Sequence, residues 1–153
     1  MATEPRTLNP WETEPNYAEG VVCGLPCFVR RNMDLLVLNG YVGVPEGHKY
    51  FGRYIEYDEL STLKVHRGVT FAYPGTHKHF GYHWWIGFDC AHAGDLVPIW
   101  ADRHRDATYR DIQYVQEQCA HLAIQLAQGS DHTERLMTKP FIQLEYLTEE
   151  ELH

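Results

Sequence analysis

Apolar and polar positions change rhythm several times along the chain, and each change predicts an element. Val21-Val22 and Phe28-Val29 flank Gly24-Leu25-Pro26, which predicts strand, turn and strand. A β-rich run follows from Asp34 to Val44. It is interrupted by Asn39-Gly40, the strongest short hairpin signal, or else a bulge within one strand. Tyr57 to Leu60 reads as a helical turn. Leu63 to Tyr73 reads as a strand with Gly68 in its middle, and His83 to Phe88 as a strand with an internal Gly87. The stretch from Asp89 to Asp106 is long and irregular, as functional loops often are.

One helix stands out, over residues 108–128. Ile112, Val115, Cys119, Leu122 and Leu126 make one apolar stripe. Thr108 and Asp111 form a capping-box-like pair at its start, and Gly129 is a natural stop. A short strand from Pro140 to Leu147 completes the pattern. The sum is an α+β protein, a mostly antiparallel sheet packed by one long helix. Its domain spans residues 20–147. Residues 1–19, with Pro5, Pro10 and Pro15, read as an extended acidic arm, and residues 148–153 as an acidic tail.

At 153 residues the chain is long enough to bury a core without a disulfide or metal. The net charge is −8, and its location matters more than its size. Residues 1–19 and 129–153 carry −7 of it, so the body is nearly neutral. Duplex DNA is therefore not an expected partner. No apolar run is long enough to span a bilayer, and MATEPRTLNP has no apolar signal core, so a cytoplasmic protein with reduced thiols is expected. Cys23 and Cys27 have a three-residue gap, which is not the spacing of a CxxC motif. No GxGxxG, Walker A, GxSxG or HExxH motif occurs.

Candidate chemistry concentrates in residues 41–100, which hold thirteen of twenty aromatics and six of ten histidines. Asp89, His92 and Asp95 recur every three residues as the chain leaves a strand. Carboxylates and an imidazole so grouped suit a divalent cation or an acid–base pair, and equally suit loop amides in Asx turns. His66 and Thr70 are candidates for the same pocket, or else cross-strand packing residues. Arg67 offers a donor fork to phosphate, or else lies in solvent. His48 at a loop tip, Thr70, Trp84 and Trp85 are candidate ligand-binding residues, with the tryptophans equally suited to the core. His77, His79 and His83 give H-x-H-x3-H, either a metal cluster or a solvated loop.

Gly40-Tyr41-Val42-x-Val44-Pro45-x-Gly47-His48, Val65-His66-x-Gly68-x-Thr70 and Trp84-Trp85-x-Gly87-Phe88-Asp89-x-Ala91-His92-x-Gly94-Asp95 resemble one pattern. It is that of a family of small proteins from bacteriophage and prophage genomes, with no assigned activity. Tyr109-Arg110-Asp111-x-x-Tyr114-Val115 is similar as well. The resemblance covers residues 35–128, and Arg67 stands where a glycine is expected. It implies a phage-type accessory protein in the cytoplasm of an infected host, acting on host defence or metabolism. Three functions follow as expectations. One is capture of a small nucleotide-like ligand in an aromatic, His-rich pocket. Another is hydrolysis by His66, Asp89, His92 and Asp95, with or without a divalent metal held by Asp89, His92 and Asp95. The last is inhibition by docking on a host or defence protein.

Overall fold

The computed structural model describes residues 7–103, 106–128 and 137–144. Six strands form one antiparallel sheet: β1 (Tyr17–Val22), β2 (Leu25–Arg31), β3 (Leu38–Val44), β4 (Phe71–His77), β5 (Gly81–Phe88) and β6 (Lys139–Leu144). Their spatial order is β4-β5-β3-β2-β1-β6. A short helix, α1 (Pro10–Thr13), precedes the sheet, and α2 (Ile112–Leu126) packs across β3, β2 and β1. The architecture is the α+β arrangement that the apolar pattern predicts. Among the described residues no helix is long and apolar enough to cross a membrane.

Local chemistry explains the boundaries. Cys23 and Gly24 join β1 to β2 with φ of 52° and 82°, as a two-residue type I′ hairpin requires. Asn39-Gly40 makes no turn. Gly40 lies inside β3, paired with Val29 and Phe88. A Cβ there would sit 2.6 Å from Cys119 Sγ and from the Phe88 ring, so this glycine lets the helix approach the sheet. The strand expected over Leu63–Tyr73 begins only at Phe71. Arg67 and Gly68 both have positive φ, 57° and 87°, and two such residues break an extended run. Arg67 thus occupies the left-handed region that favours glycine.

β1 begins at Tyr17, inside the stretch expected as an extended arm. Ahead of it Glu14 is clasped into the fold. Its carboxylate accepts from Arg31 Nη2 at 3.0 Å, from the Ile112 backbone N–H at 3.0 Å and from the Tyr109 hydroxyl. The first bond of that set neutralises a guanidinium that is itself buried. The second satisfies a free amide at the start of α2.

The helix is shorter than its sequence pattern. Asp111 is its N-cap, with Oδ1 accepting from the Tyr114 backbone N–H at 2.8 Å. Thr108 instead pairs with Asp95 in an isolated bridge. At the other end His48 Nε2 lies 2.7 Å from the Leu126 carbonyl. All five residues of the apolar stripe are buried, together with Val29, Leu38, Val42, Ile86 and Phe88 from the sheet.

The far face of the sheet carries a second, aromatic cluster of Tyr17, Phe28, Tyr41 and Trp85. Strand alternation therefore sends Trp84 and Trp85 to opposite faces. Each indole N–H meets a backbone carbonyl at 3.0 Å, Arg53 for Trp84 and Gly75 for Trp85. All four cysteines are free thiols, and burial raises the titration of Cys27, Cys90 and Cys119.

Candidate active site

Asp95 is the centre of the strongest polar cluster. Its side chain is wholly buried. Oδ1 accepts from Arg110 Nε at 3.0 Å and Oδ2 from the His92 backbone N–H at 3.1 Å. His66 Nε2 lies 2.9 Å from both oxygens. Burial pushes this carboxyl up, but the bonds from His66, the His92 amide and Arg110 outweigh it. The carboxyl is held below its ordinary range.

An ionised Asp95 accepts only, which fixes the rest of the network. His66 Nε2 carries the proton and donates it to Asp95. In the neutral ring Nδ1 is then an acceptor, and the Tyr114 hydroxyl donates to it at 2.7 Å. The Arg110 guanidinium lies 5.0 Å from the centroid of the Tyr114 ring. A phenol, an imidazole and a carboxylate are thus joined in line.

The sequence positions these groups through α2. Tyr114 is in its first turn, just after the Asp111 cap. One turn later Gln118 Oε1 accepts from the His66 backbone N–H at 2.9 Å. Gln125 holds both backbone groups of Lys64 at 2.7 Å. A polar shoulder of the helix therefore straps down the loop that presents His66.

A second imidazole stands beside the first. The His92 ring is 6.5 Å from the His66 ring, nearly perpendicular to it. Its Nδ1 lies 3.1 Å from Asp89 Oδ1, an ion-pair distance without the alignment of a hydrogen bond. That atom is buried while the side chain is 31% exposed, so the Nε2 side of the ring meets solvent. Asp89 is oriented by the Ala91 N–H and by the Thr70 hydroxyl, both at 3.1 Å. Arg67 reaches over the same loop and donates to the Ala93 carbonyl at 2.9 Å.

Of the predicted residues, His66, Asp89, His92, Asp95 and Thr70 come together here. His48, Trp84 and Trp85 do not; they sit at the end of α2, in the helix-side core and beneath the far face. Among the described residues no three His, Cys, Asp or Glu side chains are arranged to hold a metal ion. Asp95 in particular has both oxygens engaged by donors, which separates it from Asp89 as a ligand pair. Tyr114, Arg110 and Gln118 are the site residues that sequence reasoning missed.

His77 and His79 form a separate network on the far face. His77 is buried, and its Nδ1 accepts from the His79 backbone N–H at 3.0 Å. Its Nε2 lies 2.6 Å from the Tyr17 hydroxyl, which donates to Glu19 Oε1 at 3.1 Å. His79 Nδ1 meets the same oxygen at 2.5 Å. Burial, then the neighbouring His79 and His83, lower the His77 titration to about 4. Burial lowers His83 as well.

No family model, no curated protein and no solved structure matches this chain.

Proposed function

We propose that the protein is a small acid–base hydrolase acting on a phosphoester at the site formed by His66 and His92. The observation that carries this reading is the pairing itself. Two imidazoles lie 6.5 Å apart, each with its own carboxylate, Asp95 for His66 and Asp89 for His92. One is buried and fixed, and the other has its outer side in solvent. Such a pair supplies a base on one side of a reacting centre and an acid on the other. Arg110 and Arg67 offset the charges of Asp95 and Asp89 in the same loop cluster, and their guanidinium donors suit the oxygens of a phosphoester.

The test is turnover of bis(4-nitrophenyl) phosphate and of a nucleotide panel. His92→Ala is expected to lower turnover by about 10²–10⁴-fold with an unchanged thermal transition. Equal turnover in His92→Ala and the parent protein overturns the reading.

A second reading, capture without turnover, draws on a different observation. Phe71 and Tyr73 are 40% and 57% exposed on the sheet face that also carries Tyr41. Phe71 directly follows Thr70, the partner of Asp89. Exposed rings on that face suit the stacking of a nucleobase. In the setting that the phage resemblance suggests, the ligand is a nucleotide-like host signal. Thermal stabilisation by a nucleotide recovered intact supports this second reading against the first.

A further inference from the structure

We propose that Tyr114 is a covalent nucleophile, deprotonated during attack by His66 with Asp95 behind it. The proposal rests on the hydrolase reading and adds the chemical course, which runs through a phosphotyrosyl intermediate.

The order of the groups carries it. Asp95 fixes the proton on His66 Nε2 at 2.9 Å, which leaves the Nδ1 lone pair facing the Tyr114 hydroxyl at 2.7 Å. Hydroxyl, imidazole and carboxylate in that sequence are how protein hydroxyls become nucleophiles, whatever the fold that holds them. Two other tyrosines bonded to carboxylates lack this order. The Tyr109 hydroxyl meets Glu14 and Arg31, and Tyr17 meets the Nε2 side of His77, whose other nitrogen already accepts an amide proton. Burial raises the Tyr114 phenol above its ordinary range, so it is not a standing phenolate and needs a base at the moment of attack. The Arg110 guanidinium over the ring stabilises the negative charge that then develops on it. Tyr114 is partly exposed, so a substrate can reach it.

The steps balance. The Tyr114 oxygen bonds to phosphorus as the bond from phosphorus to the leaving oxygen breaks. The phenol proton passes to His66 Nδ1, and the leaving oxygen takes a proton from protonated His92. A water oxygen then bonds to phosphorus and gives a proton to His92. The Tyr114 oxygen leaves and recovers its proton from His66. One water is consumed and one ester bond is cleaved.

Two probes on the full chain test this. Benzenesulfonyl fluoride forms a tyrosyl sulfonate and releases fluoride, and peptide mapping counts the adducts. Tyr114 is expected to react at least about tenfold faster than Tyr54, Tyr73 and Tyr82, although each of those is more than half exposed. His66→Ala is expected to bring it down to their rate. Acid quench during turnover of bis(4-nitrophenyl) phosphate is expected to trap a phosphoryl adduct on Tyr114. Tyr114→Phe is expected to lower that turnover by about a hundredfold or more.

Reaction of Tyr114 no faster than the exposed tyrosines overturns the proposal, and this comparison needs no variant. Unchanged turnover in Tyr114→Phe also overturns it, while leaving the hydrolase reading intact. Selective, His66-dependent labelling with no phosphoester turned over supports the relay and removes the hydrolase reading.

Discussion

Two regions of the molecule contain the same three groups in different order. At the candidate site the order is phenol, imidazole, carboxylate: Tyr114, His66, Asp95. On the far face it is imidazole, phenol, carboxylate: His77, Tyr17, Glu19. In the first, the imidazole touches a negative charge directly, and the Tyr114 proton passing to its other nitrogen is stabilised there. In the second, the phenol stands between ring and charge, and the remaining nitrogen already accepts an amide proton. Protonating His77 would set two donors against each other. The same composition therefore yields a proton acceptor in one place and an imidazole held neutral in the other.

The comparison can be broken most forcefully at its charged centre. Asp95→Ala leaves the Arg110 and His66 donors without their acceptor. It is expected to destabilise the fold by about 3–5 kcal/mol, read from urea unfolding. A loss below about 1 kcal/mol would mean that the cluster is solvated rather than fixed.

Acid separates the two regions next. The folded titration of His77, about 4, lies below its unfolded value of 6.5. Between those values the unfolded chain binds more protons, so stability rises with pH. The contribution is fully present above 6.5 and is lost as pH falls toward 4, amounting to about 3 kcal/mol. Asp95 is also lowered, and its contribution is lost only below the ordinary carboxylate range. Unfolding midpoints measured across pH 4–7 are expected to lose most of this slope in His77→Phe, His83 supplying the remainder, and to keep it in His66→Phe.

The smallest effect is the sharpest comparison. Tyr17→Phe removes a fully buried hydroxyl with partners on both sides and is expected to cost about 1–3 kcal/mol. Tyr114→Phe removes a partly exposed one and is expected to cost about 0.5–1.5 kcal/mol. Thermal unfolding of both variants ranks them, and the reverse order would place the structural network at the Tyr114 site.

Much of the fold is legible in the chain. The stripe from Ile112 to Leu126 is a local signal, and local signals survive folding; the turn expected at Gly24-Leu25-Pro26 closes instead at Cys23-Gly24, with Leu25 and Pro26 already in β2. Asn39-Gly40 misleads because its glycine answers to Cys119 and Phe88, which are distant in sequence. The Asp89, His92, Asp95 repeat correctly marks the site but suggests a single cluster. Gly94, with φ of 92°, turns the chain just before Asp95, and its carboxylate goes to His66 while Asp89 keeps Thr70. Tyr114, Gln118 and Gln125 look like the solvated side of an amphipathic helix. Their spacing of four and seven is the available signal, and it gains meaning only once a loop lies across it.

The pairing of β6 with β1 joins residues 139–144 to residues 17–22. A ribosome therefore releases β1, β2 and β3 long before the strand that covers their open side exists. During synthesis that edge presents unpaired backbone to neighbouring chains. Closing so long a loop is slow relative to helix formation. Production of this protein is thus expected to favour slow growth at low temperature, where nascent chains meet one another less often.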